Sequence, residues 1–79
     1  MAPMMATDTV KERHKATVAV WQAKERVRLM QAGVDAVVTR ALVGSEPVPA
    51  SDVAGVIGAL ATALVDLQTA RTRLREADA

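Results

Sequence analysis

Apolar residues recur along this chain in alternating steps of three and four, in two separate stretches. The first stretch runs Ala16, Val20, Ala23, Val27, Met30, Val34, Val37 and Ala41. The second runs Val53, Val56, Leu60, Ala63, Leu67, Ala70, Leu74 and Ala77. Such steps keep every member on one stripe of a helix. Laid head to tail, the stripes match: Ala41 falls opposite Val53, Val34 opposite Leu60, Val27 opposite Leu67 and Ala16 opposite Ala77. The pattern predicts an all-α fold, an antiparallel, coiled-coil-like two-helix hairpin. Its core is expected to hold Val27, Met30, Val34, Val37, Val56, Leu60, Leu67 and Leu74.

Local signals set the expected boundaries. Thr9 followed by Glu12 has the spacing of a capping box, which predicts a helix over 9–43 after a flexible arm at 1–8. Gly44 is expected to close that helix in the left-handed conformation. Pro47 and Pro49 place a turn at 44–50. Ser51 is the expected N-cap of a helix over 51–76, with Asp52 near the positive end of its dipole. Residues 9–79 then form one domain. Gly33 is the weak point, because a helical glycine costs about 1 kcal/mol against alanine. A break there would give three helices. The stripe crosses Gly33 without a change of phase, and no Ser, Thr or Asn follows to cap a new helix, so one continuous helix is the expectation.

The second helix is apolar almost all round from Val53 to Val65. Ile57, Leu64 and Val65 lie off its stripe, as do Val38, Leu42 and Val43 on the first helix. One partner helix cannot cover such a surface. Completion of a helical bundle by oligomerisation or by a protein partner is therefore expected. Candidate interface residues are Trp21, Ile57, Leu64 and Val65. Gly55 with Ala59, and Gly58 with Thr62, form small-residue pairs that would let another backbone come close. Trp21, the one aromatic residue, either covers the flank of its own hairpin or anchors an interface.

Composition narrows the function classes. A chain of 79 residues without cysteine has no disulfide or thiolate zinc site to supplement a small core. Its sixteen alanines, twelve valines and seven arginines use G- and C-rich codons, which suggests a high-GC bacterial genome or its phage. Residues 1–31 hold six cations against three anions, and residues 32–67 hold Arg40 against four anions. In a hairpin this makes the terminal end basic and the turn end acidic, a polarity that can steer association.

The N-terminus lacks the basic and apolar regions of a signal peptide. The longest uncharged run, thirteen residues from Val53 to Val65, falls short of the ~20 that span a bilayer. The expected setting is the cytoplasm, or a particle assembled there. His14 stands alone among charges, with no second histidine or cysteine to complete a metal site. The carboxylates are scattered rather than gathered. No catalytic, cofactor, metal or small-molecule site is expected. Lys11, Arg13, Lys15, Lys24, Arg26 and Arg28 are interrupted by acids and lack interleaved aromatics, so nucleic-acid binding is not favoured.

The reading from sequence is a non-catalytic structural or assembly protein acting through protein–protein contacts, such as a small component of a phage virion or secretion assembly. The alternative is a small regulator that binds a protein or nucleic acid through its basic terminal end.

Overall fold

In the computed structural model two helices pack against each other, α1 over Ala2–Val43 and α2 over Ala50–Asp78. The backbone is described for residues 2–78 and the side chains for residues 10–78. The molecule is a rod of 66 × 14 × 14 Å with a radius of gyration of 18.5 Å, against about 12 Å for a globular domain of this length.

The burial pattern follows the stripes. Among the described residues Val20, Ala23, Ala63 and Ala70 are buried. Ala16, Val27, Met30, Val34, Val37, Val53, Val56, Leu60, Leu67, Leu74 and Ala77 are half-buried. Leu67 and Leu74 pack against the cluster of Val20, Ala23 and Ala70. Ala41 departs from the pattern and is exposed, because it sits at the open end of the seam beside the turn. The most enclosed positions are mainly alanines. Where small residues face each other the helices can approach closely, and a short side chain is then covered on all sides. Larger residues such as Met30 and Leu60 fill the seam but project past its edges.

Among the described residues two ion pairs cross the seam, one along each edge. Arg13 Nε meets Asp78 Oδ1 at 2.9 Å, and Arg26 Nη1 meets Asp66 Oδ2 at 3.7 Å. Both agree with the antiparallel register in which Ala16 lies opposite Ala77. Both are half-exposed, so each contributes little stability; their use is to mark the two edges.

Three boundary expectations change. α1 starts at Ala2, so residues 2–8, expected as an arm, are helical in backbone. Pro3 is compatible with this because a helix's first turn does not need its N–H. The side chain of Thr9, which the capping box needs, lies outside the described residues, as does Met1. Gly44 is not left-handed, since no glycine among the described residues has positive φ. Its N–H instead donates to the Arg40 carbonyl at 2.8 Å, and a Cβ at Gly44 would collide with that oxygen. Close approach, not handedness, is what requires glycine there. Ser51 is not the N-cap: α2 begins at Ala50, and Val53 N–H donates to the Pro49 carbonyl at 3.3 Å. That bond makes Pro49 the cap residue, and its missing N–H costs nothing at a helix start. The turn is therefore 44–49, and α2 runs to Asp78 rather than to residue 76.

Gly33 lies inside an unbroken α1. A Cβ added there would sit 4.0 Å from Val56 Cγ1, an ordinary contact. Gly33→Ala is expected to stabilise the fold by about 1 kcal/mol, through helix propensity and reduced freedom of the unfolded chain. Gly44→Ala is expected to destabilise it by more than about 1 kcal/mol, because the new methyl meets a backbone oxygen that cannot move without breaking the helix end. Thermal denaturation of the two variants checks both signs.

Register and length leave one end uncovered. At about 1.5 Å per residue α1 is roughly 63 Å long and α2 roughly 44 Å. With Arg13 beside Asp78, the backbone before Arg13 extends past the last turn of α2.

Candidate functional site

The described side chains include none with less than 2% exposure, while large apolar side chains stand in solvent. Leu42 is 79% exposed, Val43 78%, Val65 57%, Ile57 55% and Leu64 43%. The chain exposes 6217 Å² in all, against about 4,600 Å² for a globular chain of 8.3 kDa. The excess, roughly 1,600 Å², is the price of laying two helices side by side with nothing on either face.

The exposed residues are not spread evenly. At about 100° per residue along each helix, Val38, Leu42, Ile57 and Leu64 turn to the edge of the seam marked by the Arg13–Asp78 pair. They come from both helices and share one face, in the half of the rod next to the turn. The terminal half of that face carries Trp21 together with Lys24, Arg28, Arg71 and Arg75, and Arg28 pairs with Glu25 at 3.3 Å. Along the Arg26–Asp66 edge, the turn half is lined instead by Gly33, Gly55, Ala59 and Thr62. The same steps point Val65 and Gly58 away from α1.

The candidate interface residues therefore do not form one site. Ile57 and Leu64 sit together with Val38 and Leu42. Gly55 and Ala59 sit on the opposite face, and nothing lies within 4 Å of a Cβ built at Gly55 or Gly58. Trp21 is 64% exposed; spaced by whole heptads from Arg28 and Leu42, it lies on the same face as Ile57 but in the terminal half, several turns away. Sequence reasoning grouped Ile57, Leu64 and Val65 as apolar residues off the stripe, with Val38, Leu42 and Val43 as further off-stripe surface on the first helix. Setting the two helices in register keeps Val38, Leu42, Ile57 and Leu64 together and turns Val65 away.

Chemically active groups are sparse. Among the described residues no three of His, Cys, Asp or Glu come together as metal ligands could. Open grooves run along the seam, one past Glu12, Lys15, Arg73 and Glu76. They are shallow and lined mainly by surface charges, alanines and threonines. His14 lies exposed in the terminal half. By length and composition α2 could cross a membrane: one 18-residue window has a mean hydropathy of 1.6, and 11% of it is buried. Counting uncharged residues alone missed this window because Asp52 and Asp66 interrupt the apolar run.

Comparison with known protein families, with curated proteins and with solved structures found no match.

Proposed function

We propose that this hairpin is a non-catalytic structural or assembly protein whose work is protein–protein contact. The supporting observation is the two-sided exposure of apolar side chains on a fold whose buried residues are Val20, Ala23, Ala63 and Ala70. Chains of this size hold about 3–5 kcal/mol from one core at best, and a seam so thin supplies less. Each large aliphatic side chain moved out of water adds about 1.5–3 kcal/mol when fully covered. Packing the Val38, Leu42, Ile57 and Leu64 face against another protein makes that contribution. The hairpin is then half of a helical bundle that its partner completes. A place in a virion or secretion assembly suits a small module of this kind, and so does assembly in the cytoplasm.

A protein partner suits the face better than a bilayer does. The thirteen residues between Asp52 and Asp66 span about 20 Å as helix, short of the ~30 Å hydrocarbon core. The regulator reading draws on the terminal half, where Arg71, Arg73 and Arg75 are exposed. Native mass measured with and without duplex DNA separates the two. A defined protein-only assembly, unchanged by DNA, is the expected result. A monomer that shifts onto DNA and is released by salt would favour the regulator.

A further inference from the structure

We infer that the partner is a second copy of this chain, docked antiparallel through the Val38, Leu42, Ile57 and Leu64 face to make a four-helix bundle. This rests on the contact function proposed above and names the partner for it. Area and charge carry the inference.

The area suits a second copy. A stable pair buries about 800 Å² from each protein, and each hairpin exposes roughly twice that in excess of a globular chain of its mass. A face of two long, straight helices is also its own best complement, since ridges of one copy can enter grooves of the other.

Charge selects the direction. On this face the aliphatic cluster lies toward the turn; Trp21 and the cations Lys24, Arg28, Arg71 and Arg75 lie toward the termini, with Glu25 paired to Arg28 within that cluster. Pairing two copies with like ends together, about a two-fold axis along the rod, sets the α1 cations of one copy against the α2 cations of the other. Reversing one copy removes that repulsion. A two-fold axis across the rod, placed at the middle of the apolar patch, runs close to Ile57. It sets α1 on α1 of the partner copy and α2 on α2. The turn that carries Glu46 then ends beside Lys24 and Arg28 of the second copy, once on each side. Such a closed, self-complementary contact stops at two. Asp35 also turns to this face near the axis, so it meets its own counterpart and works against the pairing. Asp35→Asn is accordingly expected to lower the dimer Kd.

The register is tested in the full chain, which has no cysteine of its own. Ile57→Cys and Asp35→Cys place thiols near the axis, and Gly55→Cys places one on the opposite face. Each variant is first matched to the unaltered chain in helicity, then treated with a short thiol-to-thiol cross-linker at micromolar concentration. The expected result is a covalent pair of twice 8.3 kDa from Ile57→Cys and Asp35→Cys, and little from Gly55→Cys. Linking through Gly55→Cys alone would overturn the proposed face. An assembled mass with no linking at residues 35 and 57 would overturn the register while leaving the contact function standing. A helical monomer that floats with phosphatidylcholine vesicles would overturn both, and point to lipid on α2.

Discussion

Ile57→Glu together with Leu64→Lys is expected to dissociate the assembly before it unfolds the hairpin. Ile57 is 55% and Leu64 43% exposed in the isolated chain, so charges there meet water as long as no partner is present. In an interface the same charges are taken out of water without partners, a cost of several kcal/mol. The affinity is therefore expected to fall by at least a hundredfold, about 2.7 kcal/mol. Native mass and circular dichroism of one sample read the two effects apart. A fallen mass with helicity kept at high protein concentration is the expected pair of results. An unchanged mass with unchanged helicity would place the contact elsewhere on the rod.

The second large effect lies in the seam. Leu67→Ala removes a side chain that packs against Val20, Ala23 and Ala70, and the expected loss is about 2 kcal/mol, the lower end for such a change because Leu67 is half-buried. Ala63 gives the opposite test. It is 2% exposed, and Ala63→Leu puts a larger side chain where there is no room for one. Overpacking of this kind costs about 1–3 kcal/mol. Against a core of four small residues, either change is a large fraction of the total, and the midpoint of urea unfolding should fall for both. A neutral Ala63→Leu would mean that the helices slide apart freely, and that the alanine layers do not set the spacing.

The seam was legible in the sequence because a helix repeats its faces at a fixed interval. Steps of three and four from Ala16 to Val37 and from Val53 to Ala77 are enough to bring the right edges together, and the ion pairs at Arg13 and Arg26 follow from the same register. Helix ends were less legible because several chemistries can finish or start a helix. Gly44 suits a left-handed closure in sequence, but here the chain keeps a helical hydrogen bond to Arg40 and needs glycine for space. Ser51 is a good cap in isolation, yet the Pro49 carbonyl starts α2 two residues earlier. The grouping of exposed residues was not legible from either helix alone. Ile57 and Leu42 share a face only through the hairpin, while Gly55, two residues from Ile57, turns to the other side.

Sedimentation equilibrium of the unaltered chain by itself tests the central claim most directly, that this hairpin exists to be covered by protein. The expected result at micromolar concentration is a defined species of twice 8.3 kDa, whose mass falls to that of one chain as the sample is diluted and the pair comes apart. A species of 8.3 kDa at every concentration would leave the apolar face uncovered and would contradict the account.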